Sequence, residues 1–254
     1  MTLRELDFYF NSFLKKEEFS ADPSRNGIQI ENSAPDEKQI TKVAFAVDAS
    51  LDTVNAAAQN GAQVLFVHHG LFWGGCETIT GVHYKRIAAF VKNDIALCAY
   101  HIPLDANREV GNNYGLAMRL GLLDKQDFAS WRGMVLGCKG RLPVPMTLDE
   151  LQKAAFGLNK VSAVLPFGKN KIETVGIASG GSGEDHVMAA REGLDAFITG
   201  EVGHEDFNPI KEEGLNVSAG GHYQTETIGV QLVMKKLMEE KRIEGIYLDF
   251  PSGL

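Results

Sequence analysis

In the stretch AQVLFVHHGLFW, residues 62–73, an apolar run from Val64 to Val67 stops at two adjacent histidines, His68 and His69, followed by Gly70. A continuous apolar, β-branched and aromatic run is the pattern of a strand buried on both faces, so two imidazoles at its mouth are either packing residues or ligands. Two later segments bear on the choice. HIPLD and GGHYQTE each place a histidine four positions before a carboxylate, His101 before Asp105 and His222 before Glu226. Imidazole and carboxylate donors together suit first-row divalent ions, among them zinc, manganese, iron, cobalt and nickel. His68, His69, Asp105, His222 and Glu226 therefore form a candidate ligand set of three imidazoles and two carboxylates. A helix beginning near His222 would put His222 and Glu226 one turn apart on one face, within reach of one ion. Pro103 makes HIPLD a turn rather than a helix interior. Because successive strand residues point to opposite faces, His68 and His69 are expected to serve different ions. Should the set hold two ions with at least three protein contacts each, five side chains would require a shared carboxylate, Asp105 or Glu226.

The elements that must position these residues come from an internal repeat. KVAFAVDASLDTVNAAAQNGAQVLFV, from Lys42, aligns without a gap on TVGIASGGSGEDHVMAAREGLDAFIT, from Thr174. Val43 meets Val175, Phe45 meets Ile177, Ala57 and Ala58 meet Ala189 and Ala190, and Gly61 meets Gly193. Each copy reads strand, loop, amphipathic helix, glycine C-cap, strand. Beyond it the alignment continues with an offset 11 residues shorter, the LFWGGCETITG loop of the first half accounting for the difference. His83 then meets His204, His101 meets His222 and Asp105 meets Glu226. Such alternation predicts an α/β fold of two similar, pseudo-symmetric halves with mixed, mostly parallel sheets. The halves are expected at 1–127 and 128–254, with the C-terminal segment free to pack back on the first. Sites in such sheets lie beyond the C-terminal ends of strands, where these polar residues gather. GCKGRLPVPMT, residues 137–147, reads as turn-rich and Leu148–Phe156 as a short helix.

Composition narrows the class. The 254 residues are 44% hydrophobic and 23% charged, which describes a globular chain. A net charge of −8 without a basic stripe disfavours nucleic-acid binding. The N-terminus is charged from Arg4, so it is no signal peptide; its Leu3, Leu6, Phe10, Phe13 and Leu14 share a helical face. No apolar run is long enough to span a membrane. Cys76, Cys98 and Cys138 are scattered and odd in number, which suits free thiols in a reducing, cytoplasmic setting.

Other residues carry two readings. In GEVGHED, Glu201 and His204 follow the strand AFIT where HHG stands in the first half, so each is a candidate for proton transfer or substrate contact, against a local cap or ion pair. SGGSGED, residues 179–185, lacks the Gly-Lys-Ser/Thr ending of a phosphate loop, which favours a tight turn needing glycine. His83 and His186 read as solvated side chains. Phe72 and Trp73 could stack a ligand base, with packing the default.

NGIQI near residue 26, VHHGLFW, HIPLD, ITGEVGHED and GGHYQTE, in this order and across nearly the whole chain, resemble the Nif-three-like family, whose members are known as GTP cyclohydrolase 1 type 2 homologues. The resemblance implies a two-part α/β fold, a dinuclear metal site and a ring-shaped homohexamer. It carries ligand roles onto His68, His69, Asp105, His222 and Glu226, and onto His101 a role in supporting the ligands or in catalysis. Either His101 or His204 would then serve as proton shuttle. The implied activity is that of a metal-dependent hydrolase, water attacking a ring or amide-type carbon of a small molecule such as a nucleotide. The competing reading is a non-catalytic, ring-forming metal-binding or interaction protein.

Overall fold

The computed structural model describes residues 1–157 and 161–254. The chain opens with α1 (Leu3–Leu14), closed at its start by a Thr2–Glu5 capping box, and β1 (Gly27–Ile30). The first copy of the repeat follows as β2 (Lys42–Asp48), α2 (Leu51–Gln59) and β3 (Val64–His69). Then come α3 (Gly81–Asn93), β4 (Ala96–Ala99), the single turn α4 (Ile102–Asp105) and α5 (Asn112–Arg119). A hairpin of β5 (Leu123–Trp131) and β6 (Met134–Met146) leads to α6 (Leu148–Phe156) and β7 (Ala163–Pro166). The second copy is β8 (Ile172–Ala178), α7 (His186–Arg191) and β9 (Ala196–Thr199). The chain ends with α8 (Phe207–Glu213), β10 (Asn216–Ala219), α9 (His222–Lys241) and β11 (Glu244–Tyr247).

These elements form two compact units: Met1–Asn107 with Gly229–Phe250, and Arg108–Ile228 with Pro251–Leu254. The first unit holds a five-stranded sheet in the order β1-β4-β3-β2-β11, the second a six-stranded sheet in the order β5-β6-β8-β9-β10-β7. In the first, β4, β3, β2 and β11 run parallel and antiparallel β1 closes the β4 edge; in the second, β8, β9 and β10 run parallel and antiparallel β7 closes the β10 edge. The fold is thus a mixed α/β duplication.

Register confirms the repeat at the level of single residues. Val43 pairs with Val64 in the first unit and Val175 with Ala196 in the second, which are the aligned positions. The third strand departs from the sequence alignment. Val64 pairs with Ala96, 32 positions on, whereas Ala196 pairs with Asn216, 20 positions on. The offset is therefore 12 residues shorter, not 11. His101 precedes α4 as its N-cap, while His222 is the first residue of α9, so the two are one position out of register.

Apolar strands are explained by cover on both faces. In the first unit Ala44, Ala46, Leu65, Val67, Leu97 and Ala99 pack with Val54 and Ala57 of α2 and Phe90 of α3. On the opposite face Phe66 meets Phe10 of α1 at 4.8 Å between ring centroids and stacks on Tyr100 at 5.7 Å. The second unit buries Ala178, Phe197 and Val217 with Ala189 of α7 and Ile210 of α8.

Leu148–Phe156 is the expected helix. Residues 137–146 are not turn-rich: they belong to β6. Gly137 and Gly140 permit close strand approach, since a Cβ on either would run into the carbonyl of Ile177 or of Leu123. Pro143 and Pro145 fall where pairing with β8 lapses, between Arg141 and Met146, so their missing N–H groups cost the ladder nothing.

Candidate metal centre

In the first unit the donors gather at the C-terminal ends of β3 and β4. Pairing of Asp48 with His69 across β2 and β3 brings the Asp48 carboxylate to the His69 ring, Oδ1 lying 2.9 Å from Nδ1. His68 is fully buried, its Nδ1 3.1 Å from the Tyr100 carbonyl oxygen and its Nε2 3.5 Å from Asp105 Oδ2. His101 Nδ1 lies 3.0 Å from Asp22 Oδ1. Each Nδ1 thus faces an oxygen acceptor, and in a neutral ring that donates from Nδ1 the lone pair falls on Nε2. This is the outer-sphere arrangement that orients metal-ligating histidines. One ring nitrogen from each of His68, His69 and His101 lies within 4.8 Å of the other two, a group that could hold a metal ion.

Strand alternation does not carry the His68 and His69 rings far apart. Their ring centroids are 4.5 Å apart. His69 is the last residue of β3, and its bond to Asp48 fixes the ring beside its neighbour.

Two amide side chains of NGIQI hold the loops that carry these rings. Asn26 Oδ1 accepts the His101 backbone N–H at 2.8 Å, and Gln29 Oε1 accepts those of Leu71 and Phe72 at 2.7 and 3.3 Å. Trp73 donates its Nε1–H to the Gly70 carbonyl and sets its ring edge-on to His101, 4.9 Å between centroids. Phe72 packs on His83.

In the second unit α9 begins at His222, and Glu226 one turn later puts Oε1 3.3 Å from His222 Nε2. Glu201 Oε1 lies 2.6 Å from His222 Nδ1. The hydrogen bond to Glu226, with its charge and that of Glu201, pushes the His222 imidazole up to about 9 against the opposing effect of burial. A place where two carboxylates favour a cationic ring is equally one that favours a metal cation. Gly180 lies against this pair in the left-handed region (φ +64°), and a Cβ there would stand 3.2 Å from His222 Nε2 and closer still to Glu226. The glycines of SGGSGED thus serve a tight turn, and one of them makes room for the donors. Gly180 occupies the repeat position of Asp48: one half fills it with a carboxylate, the other empties it.

His204 is exposed at the start of the 3₁₀ turn His204–Asp206, its ring making no hydrogen bond or ion pair with the described residues. His186, expected to be solvated, is buried at 2% exposure between Glu213, 2.9 Å from Nδ1, and Asp206, 3.7 Å from Nε2. Asp22, Asn26, Gln29 and Asp48 are the positioning residues that sequence reasoning missed. Only the family motif NGIQI, quoted without a role, pointed towards two of them.

Fold and donors together define a class: a duplicated α/β protein whose strand ends carry imidazoles and carboxylates suited to divalent metal. The chain belongs to the Duf34/NIF3 (NGG1p interacting factor 3) family, which it matches over residues 1–250. A GTP cyclohydrolase 1 type 2 homolog of Treponema pallidum is 43% identical over 290 aligned positions, covering 100% of both chains. One from Deinococcus radiodurans is 42% identical over 237 positions, 92% of this chain and 88% of that one. The crystal structure of TTHA1606 from Thermus thermophilus superposes with a TM-score of 0.88 at 36% identity, 100% of each chain being covered. Among the described residues no helix is long and apolar enough to cross a membrane.

Proposed function

We propose that this protein is a metal-dependent hydrolase holding two divalent ions through His68, His69, Asp105, His222 and Glu226, and that it opens a ring or amide-type bond in a small molecule. The observation that carries the reading is the trio of imidazoles anchored through Nδ1 to oxygen acceptors, which leaves Nε2 of each as donor. When bound, two such ions lower the pKa of a shared water and polarise the substrate oxygen. The residues do the rest. Asp48 and the Tyr100 carbonyl orient His69 and His68, and Glu201 orients His222. His101 offers an acceptor nitrogen beside the ligands, and His204, facing solvent, is suited to exchange protons with it. The names of the relatives support GTP as the first substrate to try.

The family's description as an interacting factor favours a second reading, in which the metal holds a binding module together without turnover. One experiment decides. Protein reconstituted with zinc, manganese, iron, cobalt or nickel is assayed against GTP, cyclic amides, phosphoesters and dipeptides, with chelated controls. The hydrolase reading expects close to two ions per chain and chelator-sensitive turnover. Two ions without turnover on any class would leave the binding module, and a metal-replete chain never exceeding one ion would reject the dinuclear centre. The family resemblance supports a homohexamer, which light scattering tests, and the three free cysteines support a cytoplasmic location.

A further inference from the structure

Asp22 is a buried carboxylate with no place in the ligand set. Its side chain is 0% exposed, yet it faces four donors. Oδ1 accepts from Ser24 N at 2.9 Å and from His101 Nδ1 at 3.0 Å. Oδ2 accepts from Asn26 Nδ2 at 2.8 Å and from Ile102 N at 3.1 Å. Asn26 in turn accepts the His101 backbone N–H. Ring and backbone of His101 are therefore both tied to one short loop, residues 22–26, and neither can turn without breaking a partly buried hydrogen bond.

We propose that Asp22, steadied by Asn26, is the positioning residue of His101: it fixes the Nδ1–H tautomer and aims the Nε2 lone pair at the His68–His69 pair. An imidazole free in water carries its proton mainly on Nε2, the wrong nitrogen for an acceptor here. A buried carboxylate on Nδ1 reverses that preference, as carboxylates do for metal-site and triad histidines. Burial alone would raise the Asp22 carboxyl, but its hydrogen bonds with His101, Asn26 and Ser24 hold it below its ordinary value, so it stays an acceptor. The ring centroids of His68 and His69 stand 5.0 and 5.7 Å from that of His101, close enough for the aimed nitrogen to serve the same ion. What it serves rests on the metal reading above; the tautomer does not.

The test is made on metal-free, ¹⁵N-labelled full-length protein at pH 8, by long-range ¹H–¹⁵N correlation of the histidine rings, with a His101→Gln variant to assign the signals. The expected result is a protonated Nδ1 and an unprotonated Nε2. Asp22→Ala should lose this signature, formate soaked into the vacated space should restore it, and Asn26→Ala should keep it. A loop staple without influence on the ring would move none of these. An Nε2–H tautomer in the wild type overturns the proposal, whether or not the Asp22 variant folds. So does a folded Asp22→Ala protein that retains the Nδ1–H form. Metal content of the same preparation is read separately: Nδ1–H without metal binding would sink the hydrolase reading and support the positioning role.

Discussion

Replacing Gly180 with alanine sets a methyl group against the carboxylate of Glu226. The peptide there is held on three sides. Its N–H donates to Thr225 Oγ1 at 3.1 Å, and its carbonyl accepts from Gly200 N at 3.1 Å and Glu201 N at 3.0 Å. At φ +64° an alanine pays about 1–2 kcal/mol for the left-handed conformation. The added Cβ lies inside 3.0 Å of Glu226 Oε1, and overpacking of that kind costs about 1–3 kcal/mol. Reduced freedom of the unfolded chain returns roughly 0.4–1 kcal/mol. The net expectation is a loss of roughly 1–5 kcal/mol in urea unfolding. Because the clash falls on a proposed ligand, metal retained after gel filtration, read by plasma emission, should drop with it. Gly181→Ala is the internal control: it has no positive φ, and its Cβ meets nothing nearer than His222 Cε1 at 3.7 Å. It should stay within about 0.5 kcal/mol of wild type with full metal content. If Gly180→Ala matched Gly181→Ala in both measurements, the claim that this glycine exists to admit Glu226 would be wrong.

Burial, reinforced by Glu184 and opposed by His186, pushes the Asp185 carboxyl up to about 6. A raised carboxylate costs stability wherever it is ionised in the fold, so Asp185→Asn should stabilise the protein by about 1 kcal/mol above pH 6, after discounting for its partial exposure. That gain should fade as pH falls towards the unfolded value of about 3.9, and equal gains at pH 7.5 and pH 4 would refute the assignment. Of the three cysteines, Cys76 is exposed while Cys98 and Cys138 are buried, burial pushing the Cys138 thiol to about 12 and Cys98 higher still. A colorimetric thiol reagent should therefore titrate one thiol in native protein and three in denaturant; three in the native state would contradict the packing of β4 and β6.

Periodicity and self-similarity made the repeat legible: the aligned valines Val43 and Val175 occupy equivalent pairings, and AFIT and Leu148–Phe156 are elements with the expected ends. The candidate donors His68, His69, His222 and Glu226 were legible because imidazole at a strand mouth and a His-x-x-x-Glu spacing are local patterns. What escaped was long-range or depended on contact. Asp22 reaches His101 across 79 positions and Asp48 reaches His69 across 21, and no spacing rule links such pairs. Gly137 and Gly140 read as turn residues because a glycine needed for close strand approach looks the same in sequence as one needed for a turn. His186 read as solvated because its partners Glu213 and Asp206 lie on another helix and a 3₁₀ turn. The one-residue slip between His101 and His222 hid in a loop difference that identity alone cannot place.

The position of β11 beside β2 bears on how the chain is made. Glu244 to Tyr247 pair in parallel with Lys42 to Phe45, so the first sheet takes its edge strand from near the other end of the sequence. As the chain leaves the ribosome, residues up to Ile228 emerge before that strand does. Until then the apolar β2 presents an open edge, the kind of surface that recruits strands from other chains. Closing a loop of this length costs on the order of 5 kcal/mol of chain entropy, and such distant pairing slows folding. The second unit, nearly continuous in sequence, is placed to finish first, and the half that begins the protein is the half that must wait.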